Sequence, residues 1–130
     1  MMTEYELVSK YLKVPYRHGG MDIKEGLNCW GLVKSVYKDL GIPLLDTVDF
    51  IEQIPKTKYA HTFNLYKDKV IRVDNPKPFD IVLLEVDGYL HAGIVLSQLQ
   101  FLHTCKSGTG VCRLNHINWR NKIVGYYRAR

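Results

Sequence analysis

The chain has little that would staple, span or repeat. Only three of its 130 residues are cysteine, Cys29, Cys105 and Cys112. The odd number, in a chain large enough to bury its own core, excludes a disulfide scaffold and leaves reduced thiols as the default. No Cys-x-x-Cys pair or spaced histidine pair accompanies them, so no structural zinc is expected. No apolar run approaches membrane-spanning length, and no membrane insertion is expected. The start, Met1-Met2-Thr3-Glu4-Tyr5-Glu6, lacks the basic and then apolar stretch of a signal peptide. Synthesis in the cytoplasm is therefore expected, with any work outside the cell needing another route out. Internal repeats, linkers and low-complexity segments are absent, which predicts a single domain over 1–130. The 18 Lys+Arg against 13 Asp+Glu give a net charge of +5. That charge suits an anionic partner, but the cations are scattered (Lys10, Lys34, Lys67) and form no stripe for nucleic acid.

What is present begins with helical punctuation. Thr3 and Glu6 make a capping box, and Tyr5, Leu7, Val8, Tyr11 and Leu12 predict a helix to about Lys13, stopped by Pro15. Tyr16 to Met21, with Gly19 and Gly20, reads as a tight loop. A second helix is predicted from near Asn28, with Cys29, Leu32, Val33, Val36 and Leu40 on its inward face and Gly41 ending it. Residues 46–54 suggest a short helix and 69–73 a strand. The pattern is β from Phe79 onward. Ile81–Val86 and Tyr89–Leu96 flank the turn Asp87-Gly88, and Leu99–Thr104 is the next strand. A loop is expected over 106–110, then strands Val111–Leu114 and Ile123–Arg128. Tyr5, Tyr11, Tyr126 and Tyr127 fit packing positions, while His18, His61 and His116 fall in solvated loop contexts.

The residue types needed to make and use a thiolate are present in order. Cys29 opens a helix, where unpaired N–H groups and the helix dipole favour a thiolate over a thiol. His91 and His103 lie on neighbouring strands and can serve as the base and as the group that holds the base's ring. Register decides whether they meet. A two-residue turn at Ser97-Gln98 pairs Leu96 with Leu99 and puts the histidines on opposite faces. An odd loop, or a bulge, pairs Leu96 with Gln100 and sets His103 opposite Gly93, diagonal to His91. A nucleophilic site requires the second register. Cys105 and Cys112 are expected as strand residues beside it.

The segments Tyr16–Gly20, Asn28–Val33, Pro78–Leu83, His91–Leu96 and Phe101–Thr104 resemble, in order and spacing, the motifs of the NlpC-type cell-wall peptidases, a compact papain-like family. The resemblance covers nearly the whole chain. It implies an α+β fold with the cysteine helix packed on a central antiparallel sheet, Cys29 as nucleophile, His91 as base and His103 as the orienting residue. Tyr16 is implied to contact substrate or the oxyanion, with Asn28 and Trp30 in the same substrate and oxyanion region. Beside the cysteine the family usually has Asp before and often Ser after; this chain has Asn28, which can still cap the helix, and Trp30. The latter resembles phage tail-associated members. The implied reaction is hydrolysis of an amide in peptidoglycan stem peptides, commonly between D-glutamate and a diamino acid, with no metal or other cofactor. A phage or prophage tail at the cell wall is the implied place of work, with tail proteins as assembly partners. Two alternatives stand beside this one. The first is a catalytically silent or partner-activated tail or wall-binding module of the same fold. The second is a Cys-His acyltransferase or thioesterase; those similar to this site usually place His before Cys, the reverse of Cys29 and His91.

Overall fold

A computed structural model describes residues 2–42, 54–58, 64 and 68–130. Helix α1 (Glu4–Tyr11) starts at the Thr3 and Glu6 capping box. It ends two residues before the expected Lys13. Leu7 and Tyr11 face inward, whereas Tyr5 and Leu12 are exposed. Tyr5 was expected to pack. At about 100° per residue it lies some 200° from Leu7, on the solvent side.

The short strands β1 (Met21–Asp22) and β2 (Gly26–Leu27) form an antiparallel pair just before α2 (Cys29–Asp39). Asn28 caps α2, its side-chain oxygen accepting from the Gly31 amide at 2.6 Å. Trp30 and Tyr37 join Leu32, Val33 and Val36 in the buried set, while Leu40 is half-buried.

The remaining strands are β3 (Ile54–Pro55), β4 (Val70–Val73), β5 (Ile81–Val86), β6 (Tyr89–Leu96), β7 (Gln100–Cys105), β8 (Gly108–Arg113) and β9 (Ile123–Ala129). They form an antiparallel sheet in the order β4-β9-β5-β6-β7-β8, with β3 added against β6. The helix expected over 46–54 lies outside the described residues except for Ile54, which is in β3; His61 also lies outside them. The predicted loop at 106–110 is shorter than expected. Gly108 and Gly110 already belong to β8, because a strand of alternating glycines carries no apolar periodicity to reveal it.

The sheet separates two apolar clusters. On one face Leu90, Ala92, Ile94 and Leu96 of β6 pack with Leu32, Val33 and Val36 of α2 and with Leu7 and Tyr11 of α1. On the other, Val82, Leu84, Val95, Phe101 and Leu114 form a smaller cluster against which Cys112 and Trp119 pack. Each fully buried Leu, Val or Ile contributes about 1.5–3 kcal/mol by leaving water. The clusters therefore hold α2 and the sheet in one arrangement. This is the α+β architecture expected, with the cysteine helix on an antiparallel sheet.

Candidate active site

The site is built where a loop, a helix start and two parting strands converge. The loop that carries Tyr16 is pinned to β2: the Arg17 amide donates to Leu27, and Leu27 donates back to Pro15. Its end folds onto α2, with the Asn28 amide donating to Gly20 at 2.9 Å. A Cβ on Gly31 would run into the carbonyl of Gly20. A bare glycine in the first turn of α2 thus lets the Tyr16 loop lie directly against the helix start that carries Cys29.

Strands β6 and β7 take the register that the site needs. Leu96 pairs with Gln100 and Ile94 with Leu102. The connecting loop Ser97-Gln98-Leu99 achieves this by putting Gln98 and Leu99 at positive φ, 59° and 57°. Beyond Ile94 the strands part, because the edge of β6 that meets β7 is taken by β3 at Tyr89 and Leu90. His91 sits at this parting. Gly93 opposes His103, and its missing Cβ would lie 3.3 Å from the Cβ of His103 and 2.8 Å from the Leu102 oxygen. The absence of that carbon lets the two rings meet diagonally.

His91 Nε2 and His103 Nδ1 are 2.9 Å apart, the rings being nearly perpendicular. His103 is buried and His91 half-buried. Burial disfavours the charged imidazolium and, with the neighbouring His103 ring, pushes the His91 pKa down to about 3. Burial alone pushes that of His103 down to about 4. Both rings are neutral near pH 7, so exactly one proton lies between Nε2 and Nδ1. On its far side, His103 Nε2 stands 3.3 Å from Cys112 Sγ. Trp119 closes this face of the sheet, its ring edge-on to His103 at 5.0 Å and nearly parallel to His91 at 6.3 Å.

A cleft of about 640 Å³ opens at the parting, lined by Tyr16 and Cys29 from the helix side and by His91, Thr104 and Cys105 from the sheet. Asp87, Lys106 and Ser107 rim it. Of the residues the sequence singled out, Cys29, His91 and Tyr16 share the cleft, and His103 touches His91 behind it. Asn28 and Trp30, expected in the substrate or oxyanion region, are not among its lining residues. Both are buried, Asn28 as the helix cap and Trp30 in the core, because the turn of α2 carries position 30 away from position 29. Cys105 and Cys112 are strand residues beside the site, as expected. Trp119 had no local signal, being a lone aromatic in the loop before β9. The approach of Cys112 to His103 follows from Phe101 pairing with Cys112 across β7 and β8.

Residues 13–128 match the model of the NlpC/P60 family. Gamma-DL-glutamyl hydrolase of Bacillus subtilis (strain 168) is 28% identical over 124 residues, covering 92% of this chain and 27% of that protein. The chain thus spans about a quarter of the curated relative it matches. Among solved structures, an NlpC/P60 family protein from Bacillus cereus ATCC 10987 superposes with a TM-score of 0.70 at 17% identity, covering 98% of this chain and 40% of that one. A protein similar to a lipoprotein, of the NLP/P60 family, from Staphylococcus aureus subsp. aureus Mu50 gives 0.67 at 21%, covering 95% and 39%. The NlpC/p60 domain of the peptidoglycan hydrolase SagA gives 0.52 at 21% identity, covering 87% and 91%. With most of its length matched by the family model and the fold shared with these structures, the chain belongs to the NlpC/P60 family of cysteine peptidases.

Proposed function

We propose that this chain hydrolyses amide bonds in peptidoglycan stem peptides, with Cys29 as nucleophile, His91 as general base and acid, and His103 as the residue that orients His91. One observation carries the reading: Cys29, at the N-terminus of α2, lines the same cleft as His91, whose Nε2 is engaged by His103. With Nε2 occupied, Nδ1 is the nitrogen that takes the proton from Cys29 Sγ. The thiolate adds to the amide carbonyl. The oxyanion is held by the Cys29 amide, at the positive end of α2, and by the Tyr16 hydroxyl. The tetrahedral adduct collapses as His91 Nδ1–H protonates the leaving amine, leaving a thioester on Cys29. Water then gives its proton to Nδ1 and attacks the thioester; the carboxylic acid departs, and the proton returns to the thiol.

The γ-glutamyl class of bond, D-glutamate to a diamino acid, is supported by the likeness to a protein named gamma-DL-glutamyl hydrolase. The net charge of +5 suits an anionic wall. Work in a phage or prophage tail, after synthesis in the cytoplasm, is supported by Trp30 beside the nucleophile. Peptides of this chain in purified tail particles would bear it out, and their absence would remove it. The bond is tested with defined stem peptides read by mass spectrometry. Cleavage between D-glutamate and the diamino acid is expected; intact peptide, or cleavage only at other bonds, would overturn the assignment.

A further inference from the structure

The proton inventory behind His91 reaches one residue further than the three so far assigned. When Cys29 gives its proton to His91, the His91 ring carries N–H on both nitrogens. Its Nε2–H must then donate to His103 Nδ1, 2.9 Å away. His103, neutral and accepting at Nδ1, must keep its own proton on Nε2. That N–H is on a buried ring and points at Cys112 Sγ, 3.3 Å away. A buried donor without an acceptor is costly, so the sulfur matters to which hydrogen placement is stable. In the reverse placement the Cys112 thiol donates to Nε2, and His103 presents Nδ1–H to His91. Two N–H groups would then face each other once His91 is protonated, and the ion pair could not form.

We propose that Cys112 is a positioning residue whose sulfur accepts the Nε2–H of His103 and so holds His103 in the tautomer that accepts from His91. Its surroundings suit a neutral sulfur. Burial raises the thiol pKa above its ordinary value, so the sulfur stays uncharged and adds no anion to a desolvated site. Trp119 packs on the same side, its ring edge-on to His103 at 5.0 Å. Gly110, which pairs with His103, carries no side chain to compete for that face. The inference rests on Cys29 and His91 acting as nucleophile and base.

The test uses the full chain with Cys112→Val, which removes the acceptor at similar volume, Cys112→Ser, which keeps one, and His91→Ala. Long-range proton–nitrogen NMR of the imidazoles reads the tautomer near neutral pH. Iodoacetamide labelling of Cys29, followed by peptide mass mapping, reads thiolate against pH. In the native chain His103 is expected as the Nε2–H tautomer, and Cys112→Ser retains it. Cys112→Val is expected to mix the tautomers and to raise the Cys29 labelling midpoint by about one pH unit, a roughly tenfold loss of thiolate below it. Should Cys112→Val not fold, Cys112→Ala replaces it. An unchanged tautomer and midpoint in that variant, with His91→Ala still shifting the midpoint, would overturn the role of Cys112 alone. A midpoint that His91→Ala also leaves in place would overturn the pairing of Cys29 with His91, and the inference with it.

Discussion

His91 and His103 are neutral rings held against protonation, and this has a consequence outside chemistry. Their folded pKa values, about 3 and about 4, lie below the unfolded value of about 6.5. Between those limits the unfolded chain binds more protons than the folded one. The stability that neutral burial provides is therefore complete above about pH 6.5 and is lost as pH falls towards the folded values. Thermal unfolding should move to lower temperature across that window, and His91→Asn should flatten the dependence by removing one of the two sites. An unchanged slope in the variant would contradict this picture of the pair. At this scale much was legible in the sequence. A cysteine after a capping residue and two histidines on adjacent strands could be read from spacing, because helix starts and strand alternation are local. Trp119 and the contact from Cys112 to His103 could not, because a lone loop aromatic and a glycine-spaced strand leave no periodic trace.

Elements bring these residues together through two close approaches. At Gly93, a methyl group would press on the Leu102 oxygen and the Phe101 ring, 2.8 and 2.9 Å from the Cβ position. Gly93→Ala should cost about 1–3 kcal/mol by overpacking and push β7 away from β6, separating the histidines. Denaturant unfolding checks the first effect, and loss of activity at temperatures where the variant is folded checks the second. Capping is a milder lever. Asn28→Ala removes the acceptor of the Gly31 amide and should cost about 1 kcal/mol. The β5–β6 hairpin was legible because Asp87-Gly88 supplies the positive φ values, 53° and 84°, that its tight turn needs. The β6–β7 register was readable only as a choice between two, since a turn of Ser, Gln and Leu carries no glycine to declare its length.

Across the whole molecule, the cleft depends on α1, α2 and the sheet keeping their mutual positions. Tyr11 of α1 ties the helices together, its hydroxyl donating to Asp39 at 2.6 Å and meeting Ser35 at 2.8 Å. Thr109 of β8 reaches back to the Val14 carbonyl at 2.7 Å, joining the far edge of the sheet to the chain just before Tyr16. Tyr11→Phe should lower stability by about 1.5–3 kcal/mol, as expected for a hydrogen bond to a charged group, and leave cleavage chemistry intact when the variant is folded. Denaturant unfolding and an activity assay on the same preparation separate the two. The overall architecture was legible because helical and strand periodicities occupy separate parts of the chain. The addition of β3 to β6, which parts β6 from β7 and opens the cleft, was not legible, because a two-residue strand has no pattern of its own. The most direct test of the account is digestion of purified peptidoglycan by the native chain, Cys29→Ala and His91→Ala, with released fragments identified by mass spectrometry. The native chain should release stem-peptide fragments that both variants fail to release; equal release by Cys29→Ala would contradict the account at its centre.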